Sequence, residues 1–324
     1  MIIISNEFRK DLQDSYSPLD IAIDKVGIIG LRKKIDIVKG NYKYSFYPKI
    51  SALISLPAKQ RGIHMSRTSE TIEEVINEVI FKPTPTIEVV ADRIIKKLLK
   101  KHKYTLKVHV ELEGDIVIQV RETEKNNVQK SYYIKTVANG IKQDNGEVKY
   151  KYFIGVSAVG LNVCPCSMEM SREFVEDFIK ARRDIKISEN DLKKLLNILP
   201  VSSHNQRAKG TITVEIDDVD INSIDIIDLI NIIENSMSGK ISSVLKRPEE
   251  AELVRVAHLK PLFAEDAVRE MAKNFIKKDF INLKDKFSVK FEITSYESIH
   301  SYDVFAELNT TIGELKKIIK GMKN

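Results

Sequence analysis

The chain has 324 residues, 43% of them hydrophobic, and sets 52 basic residues against 46 acidic ones for a net charge of +6. That length suffices for one large or two ordinary domains with full cores, and no apolar run nears the ~18 residues needed to span a bilayer, so neither a small module nor a membrane protein is expected. A surface this densely mixed in charge argues against a dedicated nucleic-acid binder, which concentrates its basic excess. Two cysteines and a start without the basic flank or length of a secretory signal point to a reducing, cytoplasmic setting.

Residues 1–20 read as a polar, irregular arm. A β-prone run over 21–38, interrupted by Gly27 and Gly30, predicts a strand with a bulge. Alternating residues over 42–56 predict a second strand, ended by Pro57. The basic stretch 58–67 is expected to be a loop, with Ser69 capping a helix whose Ile72, Val75, Ile76 and Val79 are buried. Past Pro83 and Pro85 a second helix is expected over 87–101. The strand at 105–120 is expected to turn at Gly114-Asp115. Two more strands follow at 131–137 and 147–159, separated by Asn139-Gly140 and Asn145-Gly146.

The only two cysteines then stand in Cys164-Pro165-Cys166, read as a turn after a strand ending in Gly160. Cysteines two positions apart rarely make a comfortable disulfide, which leaves a metal ligand, a nucleophile or two inert small hydrophobes. Helices at 171–182 and 191–198 form an insertion of about 168–200. A strand at 208–216, helices at 224–237, 249–258 and 264–278, strands at 287–294 and 303–308, and a last helix at 312–319 complete the chain. Strand-strand-helix-helix-strand-strand thus occurs twice, over 1–159 and 160–324. An antiparallel sheet with both helices on one face accounts for each α+β module.

Chemistry-capable side chains gather in five segments outside any apolar periodicity: 59–67, 164–167, 204–207, 245–250 and 295–300. Three of the six histidines, His64, His204 and His300, fall in them. Taken singly, each is more readily a surface or capping residue than a ligand. Together, a thiolate, imidazoles and a glutamate make a mixed sulfur, nitrogen and oxygen set that suits Zn(II) or Fe(II) with a position open for water. Nothing here has the paired spacing of a zinc finger.

In order, Ser55-Leu56-Pro57-Ala58-Lys59-Gln60-Arg61-Gly62-Ile63-His64-Met65-Ser66-Arg67, Cys164-Pro165-Cys166-Ser167, His204-Asn205-Gln206-Arg207, Leu245-Lys246-Arg247-Pro248-Glu249-Glu250 and Glu297-Ser298-Ile299-His300 resemble the GTP cyclohydrolase type IB family, and more closely its archaeal methanopterin-pathway relative, sometimes called type IV. The resemblance implies the tunnelling fold (T-fold), in which two such modules pair across subunits into a barrel, as a homodimer or higher homo-oligomer with active sites at the interfaces. It implies Cys164, His204, Glu250 and His300 as metal ligands, Cys164 and His204 being catalytic, with Cys166 structural or supporting. Fe(II) is the metal it implies, and the same ligand set also accommodates Zn(II) or Mn(II).

The resemblance further implies GTP as substrate. Glu297 would accept the guanine N1 and exocyclic amine hydrogens, a bidentate contact that rejects adenine. Lys59, Arg61, Arg67, Lys246 and Arg247 would hold the triphosphate, with His64 and Ser66 as neutral donors, and Arg207 would be a further substrate-binding residue. Hydrolysis at C8 releases formate, and in the archaeal relative the product is 7,8-dihydroneopterin 2′,3′-cyclic phosphate with pyrophosphate. Rival readings are dihydroneopterin triphosphate formation on the folate and queuosine route, a deazaguanine nitrile reductase on the same fold, and a nucleic-acid-binding module with a structural metal. The long segment between Cys164 and His204 departs from bacterial type IB enzymes and favours the methanopterin relative.

Overall fold

The computed structural model describes residues 12–321 except 40–41, 82–85, 122–126, 218, 220–223, 279 and 281–282. The first part of the expected N-terminal arm, 1–11, lies outside the described residues. The chain forms two compact units, one of Met1–Val117, Tyr133–Ile154 and Glu215–Ile221, the other of Ile118–Tyr132, Gly155–Val214 and Asn222–Asn324.

The first unit contains β1 (Ile23–Arg32), β2 (Ile35–Lys39), β3 (Tyr42–Phe46), β4 (Lys49–Leu56), α1 (Met65–Phe81), α2 (Ile87–Lys101) and parts of β5 (Lys107–Arg121), β6 (Asn127–Lys142) and β7 (Val148–Val163). Its strands lie in the order β1-β4-β5-β6-β7, and the β2–β3 hairpin joins β5 where Phe46 pairs with Ile116. Ile50, Ala52, Ile54 and Leu56 are buried while their neighbours along β4 are not, the period-two pattern of a sheet with one covered face. The expected strand over 42–56 is two strands, because Pro48 between them offers no N–H to a ladder. Register shifts on either side of Val26–Ile28 confirm the expected bulge in β1.

Gly114, by contrast, is not a turn, and β5 runs straight through it. A Cβ there would meet Tyr47 O at 3.2 Å and Pro48 Cα at 3.3 Å, so the glycine marks a close approach of backbones. The hairpin turn falls at Asn145-Gly146, where Gly146 has φ +83°. Helix α1 begins at Met65, ahead of Ser69, so Ser66 and Arg67 lie in its first turn instead of a loop. Thr68 and Thr71 are fully buried in that turn, and Thr71 Oγ1 donates to Arg67 O at 2.6 Å, so packing sets this start.

The second unit continues from β7 through α3 (Pro165–Ala181), α4 (Glu189–Ile198), β8 (Asn205–Ile216), α5 (Ile226–Asn235), β9 (Gly239–Lys240), α6 (Arg247–His258), α7 (Ala264–Lys278), β10 (Ser288–Ser295), β11 (Val304–Thr311) and α8 (Ile312–Gly321). Strand order is β6-β7-β8-β10-β11, with β10 antiparallel to both β8 and β11, and β9 attached to β7. Helices α5 and α7 lie so close on β8 that a Cβ on Gly210 would meet Ile233 Cγ2 at 2.6 Å and Met271 Sδ at 3.4 Å. The two helices expected over 171–182 and 191–198 are α3 and α4, whose Met168, Leu192 and Leu196 pack with Val163 and Ala257.

The expected barrel is not found. Among the described residues β1 pairs with β4 alone and β11 with β10 alone, so the antiparallel sheet ends in two open edges instead of closing on itself. Among the described residues no helix is long and apolar enough to cross a membrane.

Candidate active site

Strand β7 runs on past Gly160 to Val163, and Cys164 is the residue before α3, in extended conformation with Pro165 in the first helical turn. Proline fits there because its missing N–H is one the helix would leave unpaired anyway. Cys-Pro-Cys is therefore a helix start and not a free turn. Two bonds hold Cys164 against the start of β8: its N–H donates to His204 O at 3.1 Å, and Ser203 Oγ donates to its carbonyl at 2.7 Å. Both cysteines are free thiols, Cys164 half-buried and Cys166 exposed.

The register of β8 on β10 pairs Ala208 with Ser295. Two residues further out, that register sets Gln206 beside Glu297. Gln206 Nε2 donates to Glu297 Oε1 at 3.0 Å and to Ser295 Oγ at 3.1 Å. Its Oε1 lies 3.0 Å from His204 Nδ1. The turn after β10 is tied down by Tyr296 N–H donating to Arg207 O at 2.9 Å and Glu297 N–H donating to Asp303 Oδ1 at 3.1 Å. His300 stacks on Tyr302 with ring centroids 5.0 Å apart, and its ring meets that of His204 nearly perpendicularly at 6.2 Å.

These side chains line one pocket of about 220 Å³, with Cys164, His204, Gln206, Ser295, Glu297, His300 and Tyr302 on its sheet side and Leu262, Phe263, Ala264 and Glu265 at the start of α7. Pockets that enclose a drug-sized ligand measure about 300–1,000 Å³, so this one suits a single ring system and leaves the rest of a larger substrate outside. The Glu297 side chain is only 7% exposed, and among the described residues its Oε2 has no hydrogen-bond partner. A buried carboxylate oxygen left unpaired is costly, and the residue that carries it lines this cavity.

Of the expected metal ligands, Cys164, His204 and His300 share the pocket wall, and Glu250 is not part of it. Glu250 is exposed near the start of α6, where its neighbour Glu249 caps the helix by accepting from Lys246 N–H at 2.7 Å. His258, at the other end of α6, reaches Ser203 O behind the site at 3.4 Å. Eight residues of helix separate the two, about 12 Å at 1.5 Å per residue. Thiol and imidazole donors suit a divalent transition metal. Two imidazoles on one tetrahedral ion, with bonds of about 2.0–2.1 Å, have ring centroids about 5 Å apart, about 1 Å closer than those of His204 and His300. Among the described residues no three His, Cys, Asp or Glu side chains stand close enough to form a coordination group. The donor types thus fit a metal, while a single chain leaves the set one carboxylate short.

The expected phosphate-binding groups lie apart from this pocket's lining. Lys246 and Arg247 are exposed at the start of α6, and Arg207 is exposed next to buried Gln206 on β8, hence on the other face of the sheet. Lys59, Arg61, His64, Ser66 and Arg67 belong to the first unit, where His64 Nε2 lies 3.0 Å from Asp14 Oδ1. The pocket also holds residues that sequence reasoning gave no role. Gln206, Ser295 and Tyr302 stand within or beside quoted motifs, whereas Leu262, Phe263 and Glu265 read only as the approach to a helix.

The second unit's sheet, its covering helices and a pocket at the strand ends define an α+β enzyme of the fold seen in uricase. Uricase from Arthrobacter globiformis superposes with a TM-score of 0.51, covering 89% of this chain and 93% of that one at 7% identity. The sequence profile of the type I GTP cyclohydrolase folE2 family matches residues 10–306. Proteins named GTP cyclohydrolase MptA are similar over nearly their whole length. The one from Methanococcus aeolicus is 34% identical over 96% of this chain and 99% of its own, that from Methanobrevibacter smithii 34% over 96% and 98%, and that from Methanocaldococcus jannaschii 33% over 96% and 97%. The chain is an enzyme of the type I GTP cyclohydrolase family.

Proposed function

We propose that the enzyme hydrolyses GTP at C8 of the guanine ring, releasing formate and giving 7,8-dihydroneopterin 2′,3′-cyclic phosphate and pyrophosphate in archaeal methanopterin synthesis. The observation that carries this reading is the buried Glu297 carboxylate, whose Oε2 has no hydrogen-bond partner among the described residues, in the lining of a ring-sized pocket that also presents Cys164, His204 and His300. Guanine offers two adjacent donors, N1–H and the exocyclic amine, and a carboxylate accepts both with charge-assisted strength. Adenine has no such edge, and leaving Glu297 unsatisfied would cost it affinity. Leu262 and Phe263 cover the base and exclude water from that contact, which strengthens it.

The residues that would hold a divalent metal, Fe(II) in our reading, are Cys164, His204, His300 and Glu250, and such an ion supplies an activated water for the hydrolysis at C8. Because Glu250 stands outside the pocket of its own chain, we assign it to the site of a second copy, in a homo-oligomer with active sites at the interfaces. The triphosphate then falls to basic side chains outside the pocket, for which Lys59, Arg67, Lys246 and Arg247 are the candidates.

An anaerobic assay with GTP and Fe(II), scoring formate and the fluorescent pterin formed on oxidation, tests the reaction. Phosphorus NMR of the product decides between the cyclic phosphate and the triphosphate. Adenosine triphosphate turned over as well as GTP, or no formate from GTP, would sink the reading.

A further inference from the structure

The pocket contains one polar side chain that touches both the base-holding carboxylate and the metal-capable imidazole, and it is neither acid nor ligand. Gln206 is 9% exposed, and each end of its amide is committed. Its Nε2 donates to Glu297 Oε1 at 3.0 Å and to Ser295 Oγ at 3.1 Å, while its Oε1 lies 3.0 Å from His204 Nδ1. The orientation of this amide follows from chemistry, because an ionised carboxylate only accepts. A flipped amide would set its oxygen against Glu297. With Nε2 facing Glu297, Oε1 must face His204, and an amide oxygen also only accepts. His204 therefore carries its proton on Nδ1 and keeps the Nε2 lone pair open. Glu297 Oε2 is 3.7 Å from the same Nδ1, too far to compete for that proton.

We propose that Gln206 is a positioning residue that ties substrate selection to the imidazole: its NH2 fixes Glu297 so that the carboxylate faces the guanine edge, and its carbonyl fixes the His204 proton on Nδ1. The base half of this inference rests on the GTP reading above. Glu297 has one further tether, its own backbone N–H on Asp303, and among the described residues its Oε2 has no donor. Without the Gln206 amide the carboxylate loses its fixed orientation, and a rotated carboxylate cannot accept two adjacent donors at once.

Two near-isosteric variants of the full chain, prepared metal-free, separate the two halves. Gln206→Met removes both donor and acceptor; Gln206→Glu keeps an acceptor for His204 and removes the donor to Glu297. Nitrogen-15 NMR of the His204 ring at pH 8 reads the tautomer directly, and calorimetric titration with GTP and with inosine triphosphate, which lacks the exocyclic amine, reads base selection. Wild type is expected to hold the Nδ1–H tautomer and to prefer GTP. Gln206→Met should mix the tautomers and weaken GTP about tenfold or more, shrinking the preference over inosine triphosphate. Gln206→Glu should keep the tautomer and lose the preference. If either property survives intact in Gln206→Met, the proposed coupling is overturned. If wild type binds neither nucleotide, the GTP reading fails, and the tautomer alone decides whether Gln206 positions His204.

Discussion

The imidazoles of His204 and His300 meet edge to face, their centroids 6.2 Å apart and their planes at 88°, although the two residues come from the start of one strand and the turn beyond another. With Nδ1 of His204 committed to Gln206, its Nε2 is the nitrogen left to bind. On the proposed reading both rings are ligands. Loss of a residue that merely orients a ligand costs about 10–100-fold in metal affinity or activity, so His204→Ala and His300→Ala should each lose at least about 100-fold. Metal content by elemental analysis checks this, with far-ultraviolet circular dichroism showing the fold retained. Variants that keep one stoichiometric metal would remove these residues from the ligand set.

The two cysteines should separate in the same assay. Cys164 lines the pocket, whereas Cys166 sits exposed in the first turn of α3 and does not. Cys164→Ala is expected to abolish turnover at unchanged melting temperature. Cys166→Ala should retain activity to within a few-fold. The reverse pattern would exchange their roles.

Glu250 gives a test of assembly. It lies outside the pocket of its own chain, so a Glu250→Ala chain and a His204→Ala chain fail for different reasons, and each retains what the other lacks. Each variant alone should be inactive, and mixing the two after reversible dissociation should restore turnover. No recovery in a demonstrably mixed oligomer would return Glu250 to a role within its own chain.

Which of these features the sequence shows depends on how local their causes are. Alternation along β4 and helical spacing in α1 are set by neighbours within a few residues, and they are legible. Gly114 is not legible, because a glycine that admits Tyr47 and Pro48 from the link between β3 and β4 looks in sequence like a glycine that makes a turn. The helix start at Pro165 was hidden in the same way, since Cys-Pro-Cys reads as a turn unless Cys164 is known to be pinned to His204 O. Barrel closure is a property of which strands lack partners, and nothing in β1 or β11 alone announces that. In the site, Cys164, His204, Glu297 and His300 were legible by chemical type. Gln206 was not, because a glutamine between an asparagine and an arginine has no role until the β8–β10 register sets it beside Glu297.

Packing over Gly210 gives a stability prediction independent of function. A Cβ there would lie 2.6 Å from Ile233 Cγ2 and 3.0 Å from Met237 Cε, below any ordinary contact. Overpacking a close-packed core costs about 1–3 kcal/mol, so Gly210→Ala should lower the melting temperature by several degrees. Gly321→Ala, with nothing within 4 Å of the added carbon, should leave it unchanged. Equal melting temperatures for the two would show that α5 and α7 yield more readily than this packing implies.

His102, in the first unit, sets a pH dependence of stability. It is fully buried after α2, with Nε2 3.1 Å from Thr68 Oγ1 and Nδ1 2.9 Å from the Tyr104 hydroxyl. Burial, followed by the charges of Arg67, His64 and Lys101, pushes its pKa down to about 4 from an ordinary 6.5. Between those values the unfolded chain binds the proton and the folded one does not, so acid favours unfolding. The stabilisation is complete above pH 6.5, drains away as the pH falls toward 4, and is gone below that. One pKa unit corresponds to about 1.4 kcal/mol, which puts the loss over a shift from 6.5 to about 4 at roughly 3.5 kcal/mol. Urea unfolding of wild type and His102→Gln across pH 4–7 isolates it, since the surface carboxylates titrate alike in both. The wild-type curve should fall more steeply than the variant's, and parallel curves would mean that His102 takes up its proton without unfolding the chain.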